Sequence, residues 1–428
     1  MSLLRKALIL CLSSLPLILP AQYNALLLQS PEHAVYAAQG AIHSGSNALT
    51  NKDFFRLRQG GHLSAEEISE LDDMLRNENI IGGYYSYDLL SISPWKRESN
   101  PKDTLFLVGN LGYHQYQEAN IPKAAAKLAL HGNLQFEGMT VQLSPLHYQM
   151  QKYYQFKVGL MKVTTGSKGK FYAGFTAGIS LGLQQMNIHV EEASLYTAPF
   201  GEFLTLQSMI HFSRSAPEPF SPFGIHGTGP ALDFFYAWLP RGKGPQLAVS
   251  FTQLGFIMWD KNSYSYHRDT TIRFEGVVVD NLFNMGDTWD DNLSLDTLDG
   301  LFHRVGTPHR HYTSLPLSVH FSLRQQLPGT PISLRGELTY RHQTLMLPYI
   351  ELALDWKAWK KLELGRSLYF GGYNGVSGGW MVKYLPVPGW TIQLASHDLY
   401  QTASSNSKVS LQILAGVSYR PKIRTSSR

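Results

Sequence analysis

The chain repeats one pattern over most of its length: apolar and polar side chains alternate with a period of two in segments of about ten residues. The last segment shows it best. Val409, Leu411, Ile413, Ala415, Val417 and Tyr419 fall on one face, and Ser410, Gln412, Leu414, Gly416 and Ser418 on the other. Successive side chains of a strand point to opposite sides, so each segment builds an apolar surface backed by a polar or small one. Leu317, Val319, Phe321 and Leu323 alternate with Ser318, His320, Ser322 and Arg324. Ile332, Leu334, Gly336, Leu338 and Tyr340 alternate with Ser333, Arg335, Glu337, Thr339 and Arg341, and Ile350, Leu352, Leu354 and Trp356 with Glu351, Ala353 and Asp355. Residues 154–160 and 171–183 repeat the theme. Less regular segments lie near 82–92, 103–113, 131–143, 203–213, 229–239, 246–259, 264–279, 361–370, 376–385 and 389–397. The expected fold is all-β: a transmembrane antiparallel β-barrel of roughly 14–16 strands.

A soluble sandwich can show the same alternation with its apolar face inward. Strand length argues against it, because soluble strands average about five or six residues. Aromatics also gather near segment ends (Trp95, Trp259, Trp356, Trp359, Trp390, Tyr419), as interfacial girdles require. Composition removes two other classes. The chain is 16% charged and 12% aromatic, too rich in aromatics for a disordered chain. After the N-terminus it has no apolar run of about 18 residues, as a membrane helix needs. The length of 428 residues would suggest several soluble domains. Yet no linker divides the chain, which suits a closed barrel without a thick core.

Residues 1–21 are expected to be a secretory signal: Arg5 and Lys6, an apolar run from Ala7 to Leu19, then Pro20-Ala21 before Gln22. The sole cysteine, Cys11, falls inside it, so the mature chain is expected to carry no disulfide, thiolate metal site or cysteine nucleophile. Without Arg5 and Lys6 the basic residues nearly balance the acidic ones. They are scattered except for a basic tail at 421–428, preceded by Arg420, so no nucleic-acid partner is expected. The barrel is expected over 81–420. Residues 22–80 carry few strand signals and one helix signal, the capping box Ser64/Glu67 followed by Ile68, Leu71 and Leu75. This mostly non-strand segment is expected to be a plug or a rim element. Residues 280–312 form a polar insertion loop.

Chemical motifs are weak. Gly375-Val376-Ser377-Gly378-Gly379 matches the hydrolase elbow pattern, but that motif needs a strand before and a helix after it, and a glycine-rich hairpin is the better reading. Asp287, Asp290, Asp291, Asp296 and Asp299 lack the ligand ladder of a calcium loop, and His303, His309 and His311 read as a hydrated loop. No catalytic residue, metal ligand or cofactor is expected, and no enzymatic activity. The most informative polar groups are the inward candidates His320, Arg324, Arg335, Glu337, Arg341, Glu351 and Asp355. Like charges directly opposite are unfavourable, so the hairpin is expected to place Arg335 opposite Asp355 as a lumen pair and keep Glu337 away from a carboxylate.

At Gly132-Asn133-Leu134-Gln135-Phe136-Glu137-Gly138 and Arg273-Phe274-Glu275-Gly276-Val277 the chain resembles an uncharacterised Bacteroidota outer-membrane β-barrel family, itself similar to PorP/SprF-like and FadL/PorV-like barrels. The resemblance implies the cell outer membrane, with outer-membrane lipid as surroundings. Its FadL-like side implies passage or binding of a small amphipathic molecule through a partly plugged lumen. Its PorP/SprF-like side implies an accessory or scaffold barrel with an envelope protein partner, as in type IX secretion or gliding, and 280–312 as contact surface.

Overall fold

The computed structural model describes residues 34–53, 64–97, 103–215, 223–242, 244–275, 307–373, 375–396 and 408–421. Within them one sheet holds nineteen strands. Nine occupy the first part of the chain: β1 (Val35–Thr50), β2 (Glu78–Arg97), β3 (Asp103–Pro122), β4 (Thr140–Gln142), β5 (Leu146–Thr165), β6 (Gly169–Thr197), β7 (Phe203–Ser215), β8 (Gly227–Pro240) and β9 (Gln246–Trp259). Ten follow: β10 (Tyr264–Glu275), β11 (Thr307–Pro308), β12 (Tyr312–Ser314), β13 (Ser318–Gln326), β14 (Ile332–Arg341), β15 (Leu347–Trp359), β16 (Leu362–Gly372), β17 (Gly375–Tyr384), β18 (Trp390–Ser396) and β19 (Lys408–Tyr419).

Fourteen of them make a closed antiparallel wall in the order β1, β2, β3, β5, β6, β8, β9, β13, β14, β15, β16, β17, β18, β19. Pairing of β1 with β19, from Tyr36 opposite Tyr419 onward, completes the circle. Closure removes the sheet edges and lets the wall turn its apolar face to lipid. Outward side chains such as Phe156, Val158, Phe175, Ile179, Leu334, Leu338, Ile350 and Leu352 are exposed accordingly.

The two ends of the wall differ. Near Val35 and Tyr419 the strands are joined by short turns such as 166–168, 327–331 and 360–361. The other end carries the longer connections, with helices α1 (Ala65–Met74) and α2 (Lys123–His131) and the rim strands β4, β7, β10, β11 and β12. β6 has 29 residues, or roughly 95 Å at about 3.3 Å each. That is far more than a tilted strand needs to cross a hydrocarbon core of about 30 Å. Its first half pairs with β8 inside the wall, and its second half rises above and pairs with β7, which pairs with β10.

Several expectations change here. Residues 35–50 are a wall strand and not part of a non-strand segment. β1 escapes notice because its alternation is carried by Ala37, Ala38, Gly40, Ala41 and Gly45, whose contrast in polarity is small. Residues 22–33 lie outside the described residues, as do 276–306, most of the 280–312 insertion. Segment 131–143 holds the end of α2, a 3-10 turn and the three-residue β4. Segment 203–213 and the described part of 264–279, residues 264–275, form rim strands β7 and β10 instead of crossings, and 276–279 lie outside the described residues.

Helix α1 begins as its residues dictate. Ser64 Oγ accepts from the Glu67 amide at 3.3 Å, and Glu67 returns a carboxylate to the Ser64 amide at 2.9 Å. Leu71 and Leu75 then pack in one apolar cluster with Ile81, Ala119, Tyr148, Met150 and Ile188. Tyr148 and Met150 share the parity of lipid-facing Phe156 and Val158, and β5 pairs with β3 without a bulge. The helices therefore cover the outside of the rim rather than the lumen.

Candidate functional site

The candidate site is the barrel interior, where polar side chains interact at three levels. Near the short-turn end a ladder of charges crosses β13 to β17. Arg335 lies 3.0 Å from Glu337, 2.9 Å from Glu351 and 3.3 Å from Asp355. Arg324 sits 3.6 Å from Asp355 and also binds Glu363, which Lys383 approaches at 3.6 Å. Five of the seven sequence candidates thus meet in one network: Arg324, Arg335, Glu337, Glu351 and Asp355. The other two do not join it. His320 Nδ1 lies 2.9 Å from the Thr339 hydroxyl, and the Arg341 guanidinium stacks 3.8 Å over the Tyr84 ring.

The register of β14 and β15 differs from the one expected. Arg335 stands opposite Ala353, and Glu337 stands directly opposite Glu351. Directly facing residues do not set this register alone, because diagonal neighbours are within reach of a long side chain. Arg335 reaches diagonally to Asp355 and bridges both glutamates, so one guanidinium offsets a pairing that would be unfavourable alone.

On the other side of the same end, inward Leu90, Ile92, Phe106, Val108, Met161 and Phe235 form an apolar cluster on β2, β3, β5 and β8. The interior is therefore amphipathic in cross-section, with an apolar arc and a charged arc.

At the waist, Lys157 on β5 and Asp233 on β8 form a 2.6 Å ion pair across β6, with both side chains buried. Asp233 also accepts from the Thr176 hydroxyl at 3.1 Å and the Gln253 amide at 2.9 Å. Gln253 has φ 63°, a left-handed conformation that costs a non-glycine residue about 1–2 kcal/mol. It sits where the β8–β9 register slips between Leu232 and Phe234. The bulge turns Gln253 into the lumen. There its amide group donates to Tyr84 Oη at 2.8 Å and accepts from Tyr153 Oη at 2.8 Å. Tyr84 Oη in turn lies 2.9 Å from His114 Nδ1. These contacts join β2, β3, β5 and β9 across the interior.

Above the waist, turns bend in over the lumen. Glu118, fully buried on β3, accepts from Tyr373 Oη and from the Leu345 amide, while Tyr116 Oη lies 2.8 Å from the Gln343 carbonyl. Gly82 makes this possible. A Cβ there would stand 2.6 Å from Tyr373 Oη and 2.8 Å from Glu118 Cγ, so only glycine leaves Tyr373 its path. Beside these turns a cavity of about 540 Å³ opens at the mouth, lined among others by Gln149, Gln151, Asn187, Thr313, Pro316 and Leu345. A separate hollow of about 680 Å³ lies on the lipid side, where Ala38, Ser91 and Gly109 leave room between Tyr36, Leu111 and Phe156.

The Gly375–Gly379 match begins strand β17 and precedes no helix. Sequence reasoning missed Lys157 and Asp233. Each is a lone charge at an inward position of an apolar strand, a signal the sequence does carry. Gln253 carries no such signal, because a bulge gives it its place, and the partners of Glu118 come from two turns remote in sequence.

No curated protein matches the chain. Among solved structures, the P. putida toluene transporter TodX is 9% identical over 92% of this chain and 91% of its own, with a TM-score of 0.42. The Ralstonia pickettii toluene transporter TbuX is 8% identical over 92% and 90%, at 0.40. A Pseudomonas aeruginosa FadL homologue is 8% identical over 92% and 91%, at 0.39. At such values the likeness carries no inference about substrate. Residues 36–389 match DUF5723, a family of unknown function, and the chain belongs to that family.

Proposed function

We propose that the protein is an outer-membrane barrel that binds a small amphipathic molecule in its mouth and passes it through a waist that is closed at rest. The observation that carries this reading is the placement of the mouth cavity above a hydrogen-bonded belt of inward side chains. Gln151 lines the cavity, and two residues further along the same face of β5 Tyr153 joins the waist through Gln253. A cavity of about 540 Å³ suits a small ligand. Side chains can rearrange without unfolding the wall, and the apolar and charged arcs beneath offer separate surfaces to the two ends of an amphipathic guest.

The test uses the full chain in planar bilayers and in vesicles. Wild type is expected to show no steady ion conductance. It is expected to bind a C8–C12 alkyl alcohol or carboxylate by calorimetry, and Tyr153→Ala with Gln253→Ala is expected to open a conducting path. A freely conducting wild type, or a chain that binds no member of such a series, overturns the proposal.

A further inference from the structure

Four histidines line up across neighbouring strands at the rim. His147 on β5 is opposite His189 on β6, His189 is opposite His211 on β7, and His211 is opposite His267 on β10. Directly opposite residues share a face, so the four imidazoles form one row, on the face continuous with the lumen. Ring centroids along the row are 5.5, 6.4 and 4.0 Å apart. The alternate residues Ile188, Val190, Ile210, Phe212 and Tyr266 pack into the apolar cluster under α1 and α2. The sheet that presents the row is therefore anchored from behind.

We propose that His211 and His267 hold a divalent transition-metal ion between β7 and β10. Their Nδ1 atoms are 3.1 Å apart. Two nitrogens each about 2.0–2.1 Å from one zinc ion stand about 3.0–3.4 Å apart, so little movement is required. The far nitrogen of His211, Nε2, lies 3.2 Å from Glu191 Oε1. That is the carboxylate–histidine–metal arrangement that fixes the tautomer and raises the basicity of a ligand. Imidazole sites suit zinc, copper and nickel, and half-exposed His211 is open to an ion from solution.

Among the described residues no three such side chains already converge. The remaining coordination positions fall to water, or to His189 after a side-chain rotation. The competing arrangement is a metal-free hydrogen bond, in which one imidazole donates its Nδ1 proton to the other.

The full chain, without any affinity tag and stripped with a chelator, is titrated with Zn²⁺ by calorimetry in detergent. One saturable ion per chain is expected. His211→Ala and His267→Ala should each lower the affinity at least a hundredfold. Glu191→Gln should lower it about 10–100-fold, and His147→Ala should leave it within about threefold. The wild type loaded with Cu²⁺ supplies a readout that needs no variant: its electron paramagnetic resonance should show coupling to two or three imidazole nitrogens. No saturable Zn²⁺ in wild type, binding that survives in the His211→Ala/His267→Ala double variant, or a copper spectrum without imidazole nitrogen overturns the proposal.

Discussion

Lys157→Met should be among the most damaging single changes in the barrel. The Lys157–Asp233 pair is 2.6 Å long, with side chains only 3% and 0% exposed, so solvent screens it little. Removing the cation leaves Asp233 with donors from Thr176 and Gln253 but with an uncompensated charge in a low-dielectric interior. Breaking a buried pair from one side costs about 3–5 kcal/mol, roughly a hundred- to several-thousand-fold in the folding equilibrium. Replacing both partners removes the orphaned charge, so Lys157→Met/Asp233→Leu should recover most of the loss. Urea unfolding in lipid vesicles, followed by tryptophan fluorescence, measures all four corners of the cycle. A cost below about 1 kcal/mol for Lys157→Met, or strictly additive single changes, would refute the assignment of a tightly coupled pair.

Gly82→Ala should cost about 1–3 kcal/mol through its clash with Tyr373 and Glu118, and Tyr373→Ala should relieve most of that in the same unfolding assay. Arg335→Met should destabilise by about 3–5 kcal/mol, because Glu337 and Glu351 then face each other without a shared cation. Arg335→Lys should restore only part of this loss, since an ammonium cannot fork to three carboxylates. Burial lowers the pKa of His147 and of His311 below the ordinary histidine value of 6.5. The unfolded rim then binds more protons than the folded one, so the stability from these groups is full above pH 6.5 and declines as the pH falls below it. Limited proteolysis of the rim should run faster at pH 5.5 than at 7.5, and His147→Gln/His311→Gln should shrink the difference. Equal rates in wild type would contradict the shift.

The faces of β13, β14 and β15 could be read from the sequence because Leu334, Leu338, Ile350 and Leu352 alternate with charges that have no place in lipid. Their partners could not. The face of Arg335 follows from parity, but its neighbours depend on a register two residues away from the one that opposing charges favour. β3 hides its period because Phe106 and Val108 join an apolar cluster inside while Leu107 and Leu111 face lipid, so both faces read alike. β7 and β10 mislead in the other direction. Ile210, Phe212, Tyr264 and Tyr266 alternate as wall residues do, yet the surface they cover is the apolar cluster beneath two short helices. Whether a half-buried strand faces lipid or a helix is not encoded in its period. The waist is hidden for a related reason: the aim of Gln253 comes from a bulge, and a one-residue bulge has no pattern of its own.

The assignment of faces is open to direct measurement, because the only native cysteine, Cys11, lies in the expected signal segment. Single cysteines at Ser333, Leu334, Leu338, Thr339 and Tyr340 of β14, each carrying a nitroxide in lipid vesicles, report collision with dissolved oxygen from the bilayer. High oxygen collision at 334, 338 and 340 with low values at 333 and 339 is the result the barrel requires. The opposite phase, or uniformly low values along the strand, would mean that this wall does not turn its apolar face to lipid.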